Sequence, residues 1–525
     1  MPLSKNILKK ESLFCGSFIV LFTIALYLPS LKIPFINDEI YFIQRNEVST
    51  PLNLYTLFEK KDYDGYYYRP LPNLVSGVSF FIFHYNYRYY RIFNVLLHAA
   101  AALLVYFFII ELLALPDKKI IALFSAVFFS AFPLHDYSVI WHTDLFDRIM
   151  ILFYLAGLIS FIRNKFKTSA ATIIFFTLAL LSKEMAFSFP LIIALINFFF
   201  NEDKFHFKKS LLKAAPYFIV AAIFIIARII FFNNDVFTAK DAHSHGHLFD
   251  VIKNYIIFSG LLSFPFYIRE IQNFVLDNKI FAFSAAAITL TTLAFFLLKY
   301  KRRDYPIYFF ILFYLITLAP ASRLLMRWYL YLPSIGFTAL LSYLIFSTVP
   351  RKFNLRIIVP VIILVIYSGS LFNKELIWVK QSNASIEALK SFIAENKDEI
   401  VRNGEADFIT VPAKVNDIPI FQLGFDYLFN YYLGGTKKVK VEALTKSYIK
   451  SLSDPITVKT GPTKISLSQI EDNYFILFNN EKNIKFEPIN FKNGNLKTLT
   501  ISLSEVENKI LYTFSNGKFY KIKGL

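Results

Sequence analysis

The sequence predicts a polytopic α-helical membrane protein of about 11 transmembrane helices, followed by a small C-terminal α+β extracytoplasmic domain. Three observations carry this. Of its 525 residues, 55% are hydrophobic and 61 are Phe, and the mean hydropathy is +0.46, too apolar for a soluble globular chain. The apolar residues fall in runs near the length of roughly 20 that a spanning helix needs. The formal net charge of +18 gathers in short clusters between those runs, a positive-inside pattern and not a nucleic-acid patch.

Taken in order, spans are expected near 12–31, 92–115, 120–135, 146–162, 169–185, 187–200, 212–232, 279–298, 307–321, 328–349 and 357–373. The run Leu13 to Leu31 is too long for a signal h-region and lacks a small-residue cleavage site, so it reads as an anchor. Its Cys15 is the single cysteine, which excludes an intrachain disulfide. Lys5, Lys9 and Lys10 precede the first span, and Lys118–Lys119, Arg163–Lys167, Lys204–Lys213, Lys299–Arg303 and Arg351–Arg356 follow alternate later spans. All these loops fall on the N-terminal side, which makes that side cytoplasmic.

The other face carries a different chemistry. A long loop, 32–90, opens with Asp38-Glu39 at the exit of the first span. Within it Leu71 to Phe83 is apolar but too short to span, and reads as an interfacial helix among tyrosines. After 374 the composition changes. Ser385 to Asn403 reads as an amphipathic helix, and strands are expected at 407–410, 456–459, 464–467, 474–479, 499–503 and 509–514. Gly434-Gly435, Asn493-Gly494 and Asn516-Gly517 read as turns. The domain boundaries are therefore 1–373, with the outer loop 32–90, and 374–525.

Candidate site residues gather on that outer face. Asp38-Glu39 is either a partly desolvated pair suited to proton abstraction or a helix-end pair facing water. Arg69, Arg91, Arg148, Lys183, Arg323 and Arg327 are cations beside or within apolar spans, where ionisable groups are costly and mark function. A phosphate would want two or three of them, and interfacial snorkelling is the plainer reading for Arg91. Glu184 beside Lys183 is also consistent with a structural ion pair. Asp144 and Asp147, three apart, share a helix face near His135 and Trp141 and are candidates to meet sugar hydroxyls, a metal or a nearby cation, while Asp144 is equally suited to capping. His243-Ser244-His245-Gly246-His247 has zinc-ligand alternation, but a solvated loop is the ordinary reading, and no metal ligands are assigned.

Several of these stretches together resemble the GT-C membrane glycosyltransferases, in particular the protein O-mannosyltransferase-like and transmembrane-and-tetratricopeptide branch. Phe35-Ile36-Asn37-Asp38-Glu39 resembles the acidic motif of the first outer loop. Tyr68-Arg69-Pro70-Leu71, Phe93-Asn94-Val95-Leu96-Leu97-His98, Pro133-Leu134-His135 with Trp141 and Asp147-Arg148, and Leu181-Ser182-Lys183-Glu184 resemble later blocks. Arg327-Trp328-Tyr329-Leu330-Tyr331-Leu332-Pro333-Ser334-Ile335-Gly336-Phe337 is the most specific block. The matches cover about residues 30–340. Two departures stand out: that branch more often has two aspartates where this chain has Asp38-Glu39, and no tetratricopeptide repeats follow the membrane region.

The resemblance implies an inverting transfer of a sugar from a polyprenyl-phosphate donor to a hydroxyl of a protein or glycan acceptor on the outer face. In that reading Asp38 is the base, with Glu39 positioning it or the sugar. Lys183, Arg148, Arg323, Arg327 and Arg69 meet the donor phosphate, and His135, Asp144, Asp147, Glu184 and Trp141 meet sugar or acceptor. The monophosphate leaving group requires no cofactor, though a divalent cation would be compatible with it. A polymerase or ligase using lipid-diphosphate donors and a lipid-linked sugar flippase are the other classes, and the flippase would be expected to show repeats and mid-membrane polar groups. The Phe-, Asn- and Lys-rich composition fits a bacterium, whose inner membrane would hold the chain with its C-terminal domain periplasmic.

Overall fold

The structure, a computed structural model, describes residues 5–48, 50–58, 68–201, 204–232, 248–263, 305–322, 325–348, 355–434, 438–461, 464–470, 473–476, 490–492, 495–502 and 510–522. They divide into two compact units. The first comprises 1–28, 48–82 and 90–374, and the second comprises 29–47, 83–89 and 375–525. The stretch 29–47, with Asp38 and Glu39, thus belongs to the same unit as the C-terminal residues.

The first unit is helical. Its elements are α1 (Lys5–Leu26), α3 (Pro70–Phe83), α4 (Tyr87–Leu112, entering the unit at Tyr90), α5 (Lys118–Ser130), α6 (Asp136–Ile140), α7 (Leu145–Arg163), α8 (Ala170–Leu180), α9 (Phe189–Phe200), α10 (Phe207–Phe232), α11 (Leu248–Ser263), α12 (Tyr305–Leu318) and α13 (Ser334–Thr348). The helix α2 (Glu39–Arg45) lies in the second unit, and α14 (Leu355–Asn403) contributes residues to both. Four described helices are long and apolar enough to cross a membrane: Tyr87–Leu112, His142–Arg163, Phe207–Ile230 and Leu355–Asn403. Other expected spans hold shorter helices, and 279–298 lies outside the described residues.

The short helices have local causes. Helix α5 ends at Ser130, three residues before Pro133, whose ring steers the preceding residue, Phe132, away from helical backbone. Between α8 and α9 the chain leaves the helix at Leu181, crosses extended Lys183, and makes a 3-10 turn over Glu184–Ser188 before Pro190 starts α9 in its first turn. The core joins α4, α5, α7 to α10, α12 and α13 through aromatic and branched side chains, with Phe176 stacked on Phe189 at 4.7 Å. Against α12, a Cβ on Gly336 of α13 would lie 2.7 Å from the Phe310 carbonyl oxygen and 2.9 Å from the Tyr314 nitrogen. Backbone cannot yield as a side chain does, so Gly336→Ala is expected to cost about 1–3 kcal/mol, read as a lowered Tm of the detergent-purified protein. An unchanged Tm would mean these helices are not held that close.

The second unit is α+β. Its strands are β1 (Glu405–Val415), β2 (Ile418–Pro419), β3 (Lys440–Ile449), β4 (Ile456–Thr460), β5 (Lys464–Gln469), β6 (Tyr474–Ile476), β7 (Asn490–Lys492), β8 (Asn495–Ser502), β9 (Leu511–Ser515) and β10 (Lys518–Lys521), with helix α15 (Phe425–Leu433) between β2 and β3. The order is β10-β9-β1-β3-β6-β8-β5-β4, with β2 on β1 and β7 on β8. Strand β1 is parallel to β3 and β9, and the other pairs are antiparallel. A parallel pair needs a crossover, and α15 lies in it, burying Phe425 and Phe429 against Phe408 of β1. Phe392 of α14 joins the same ring cluster through Phe408 and Tyr512. The turn at Asn516-Gly517 has positive φ at both residues, as a tight hairpin between β9 and β10 requires.

Candidate functional site

In the first unit the ends of α6, α7 and α8 place a cluster of ionisable side chains inside an apolar helix packing. Asp144 closes a 3-10 turn, His142–Asp144, and Asp147 sits in the first turn of α7. The three-residue spacing aims both carboxylates at Lys183. The Lys183 Nζ bonds to the Asp147 carboxylate and lies 3.7 Å from Asp144 Oδ1. It also stands 5.1 Å from the centre of the Tyr329 ring. All three charged groups are buried.

Arg148, one residue on, faces the end of α6. Its guanidinium donates to the carbonyls of Ser138, Trp141 (3.2 Å) and His142 (3.1 Å), and to Asn94 Oδ1 (3.0 Å). Arg91 donates to the Ile140 carbonyl at 2.6 Å. These arginines satisfy carbonyls left over where α6 ends in extended Trp141. His142 Nδ1 meets Asn94 Oδ1 at 3.0 Å, and Trp141 packs edge-on to Trp328 at 5.5 Å.

Two further ion pairs flank the cluster. Arg69 holds Glu184 through Nη2 (2.8 Å) and Nε (3.1 Å), and Arg228 reaches the other Glu184 oxygen at 3.4 Å. Arg327 lies over the Tyr137 ring at 4.3 Å and 3.7 Å from Asp136 Oδ2. Beside them His98 meets the Tyr331 hydroxyl at 2.7 Å, and His135 Nε2 meets Ser334 Oγ at 2.9 Å. His135 thus lies in a ring-and-hydroxyl network with His98 and Tyr331.

The first unit therefore brings together Arg69, Glu184, Lys183, Asp144, Asp147 and Arg148, with His135, Trp141 and Arg327 in adjoining contacts. Arg323 and His243 to His247 lie outside the described residues. Sequence reasoning missed Arg228, and gave no site role to Asn94, His142 or Tyr331. The signal for Arg228 was present: a lone arginine inside the apolar run 212–232. Among the described residues no group of three or more His, Cys, Asp and Glu is arranged to hold a metal ion.

Asp38 and Glu39 lie in the second unit, and neither is a helix-end charge facing water: Asp38 is 1% exposed and Glu39 is fully buried. Asp38 stands at the start of α2 but makes no capping bond to it. Glu39 Oε2 accepts from the Ile36 amide at 3.0 Å, closing the turn that carries the pair. Nearby, burial raises the Asp426 carboxyl above its ordinary value, opposed by backbone hydrogen bonds and by the charges of Lys446 and Lys438. Burial and the hydrogen bond to Glu47 likewise raise the Tyr85 hydroxyl.

No family model matches the chain, and no curated protein matches it either.

Proposed function

We propose that the chain is an inverting glycosyltransferase of the membrane, moving a sugar from a polyprenyl-phosphate donor to an acceptor hydroxyl on the extracytoplasmic face. The observation that carries this reading is the buried ionisable cluster of the helical unit. Arg69, Arg91, Arg148, Lys183, Arg228 and Arg327 are six cations, set among the four carboxylates Asp136, Asp144, Asp147 and Glu184. Charge-assisted hydrogen bonds from such cations suit the donor's phosphodiester and the phosphate monoester that leaves when it is cleaved. Such groups are costly in an apolar packing and persist where they bind or react.

The residues divide by how their donors are used. Arg148 and Arg91 hold backbone carbonyls, so their part is to fix the α6 end and hence Asp144 and Asp147. Lys183, Arg69, Arg228 and Arg327 are held by side-chain carboxylates, which a bound anion can compete with. They stabilise the departing lipid phosphate as charge builds on it. Asp38 takes the proton of the acceptor hydroxyl, whose oxygen bonds to the anomeric carbon as the carbon–phosphate oxygen bond breaks on the other side. About 11 crossings, a cytoplasmic N-terminus and a periplasmic C-terminal domain in a bacterial inner membrane complete the proposal.

The test is sugar transfer in membranes fed radiolabelled polyprenyl-phosphate sugars, with Arg228→Gln alongside the wild type. Transfer by the wild type, lowered about 10- to 100-fold in Arg228→Gln, is the expected result. Transfer from lipid-diphosphate donors only would replace this reading with a polymerase or ligase. Movement of lipid-linked sugar across vesicles without transfer would replace it with a flippase.

A further inference from the structure

The acid pair is held by a segment from the far end of the chain. Asn37 adopts a left-handed backbone (φ 53), a conformation costly for most side chains and tolerated by Asn. Its amide donates to the Ile420 carbonyl at 2.6 Å, and its side-chain Oδ1 accepts from the Leu423 amide at 2.7 Å. Gly424, the next residue, is itself left-handed (φ 60) and passes directly over Asp38. A Cβ there would lie 2.9 Å from Asp38 Cα and 3.3 Å from Asp38 Cβ. Rings close the contact from both sides: Tyr41 of α2 meets Tyr427 of α15 at 4.8 Å, and Phe35 meets Tyr431 at 6.0 Å.

We infer that the 420–424 loop is a positioning clamp for Asp38-Glu39, and that this is a function of the C-terminal residues in the reaction. The inference rests on the transferase reading for its effect on rate, and on geometry alone for the clamp itself. Two hydrogen bonds from one loop fix the Asn37 backbone at both its amide and its side chain. The glycine then sets the height of the loop above Asp38. A carboxylate that must meet an acceptor proton loses rate steeply when displaced, by about 100-fold for 1 Å. Asn37, Leu423 and Gly424 act through Asp38 and are positioning residues.

Gly424→Ala is the test, with Gly434→Ala as its control. Gly434 also has positive φ (61), with ψ 131 a backbone costlier for Ala than that of Gly424 (ψ 27), and nothing lies within 4 Å of a Cβ built there, so the control carries at least as much backbone strain without the approach to Asp38. Asn37→Gly is the second variant, keeping the left-handed backbone and deleting the bond from Leu423. Two quantities are read on the full chain: hydrogen–deuterium exchange of the 33–42 segment, and kcat and KM for the lipid donor. Gly424→Ala and Asn37→Gly are expected to raise exchange in that segment and lower kcat by about 10- to 100-fold with KM for the donor unchanged. Gly434→Ala is expected to change neither. Unchanged exchange in both variants overturns the clamp. Raised exchange with undiminished kcat overturns its role in positioning while leaving the transferase reading intact. A wild type that transfers nothing removes the transferase reading, and exchange then decides the clamp by itself.

Discussion

Asp38→Asn is expected to lower sugar transfer by about 10²- to 10⁴-fold, with the chain present in membranes at wild-type amounts. The amide has the shape of the carboxylate and keeps an oxygen toward Asn37 Nδ2, which donates to Asp38 Oδ1 at 3.4 Å. What it lacks is the capacity to take a proton. Asp38 makes no capping bond to α2, so the substitution removes no helix cap. Glu39→Gln sets the comparison. Glu39 accepts from the Ile36 amide, and Gln retains an acceptor oxygen for that bond. Its effect on transfer is therefore expected to be much smaller than that of Asp38→Asn. Equal transfer by wild type and Asp38→Asn would remove Asp38 as the base and turn attention to Asp147. Equal losses in the two variants would make the pair one binding unit and not a base with a support.

The difference between the two acids was beyond the reach of sequence. Hydropathy places Asp38-Glu39 at the end of an apolar run, but what covers it is a loop 386 residues away. The same limit applies across the polar cluster: Lys183 meets Asp147 36 positions back, and Arg69 meets Glu184 115 positions on. Residue types could be read, and partners could not. Arg148 shows the cost. As a cation near an apolar helix it reads as a phosphate ligand, yet its donors go to carbonyls freed where α6 ends at Trp141, a break that only the folded chain displays. Local patterns were more legible. The expected strands at 407–410, 456–459 and 464–467 fall on β1, β4 and β5, and that at 499–503 falls on β8 as far as Ser502, with 503 outside the described residues. Strand β3 was missed because Lys440, Glu442 and Lys446 interrupt its apolar residues, and its place is set by parallel pairing to β1. The amphipathic helix expected at 385–403 is the end of a helix that starts at Leu355, since no Pro or Gly breaks the chain after Gly369.

Lys183→Ala is expected to destabilise the helical unit by about 3–5 kcal/mol, because it leaves two buried carboxylates without their cation. Both Asp144 and Asp147 are buried, and Lys183 is the cation in contact with each. Deleting one partner of such a set costs more than deleting the set, since the remaining charge has neither water nor a counter-ion. A second variant separates these terms. Lys183→Met with Asp147→Leu removes a cation and its nearest anion together, and is expected to recover most of the lost stability. Thermal melting of detergent-purified protein reads both. A Tm for Lys183→Ala equal to the wild type would show that water reaches the cluster and that burial there is not a low-dielectric one. The stability result also conditions the functional one. A double variant that melts as the wild type but no longer transfers sugar assigns the Lys183–Asp147 pair to the reaction, and undiminished transfer by Asp147→Asn, which keeps the cation, then assigns the loss to Lys183 and the donor phosphate. Recovery of transfer along with stability would assign Lys183 to the fold alone, and the donor phosphate would then fall to Arg69, Arg228 and Arg327.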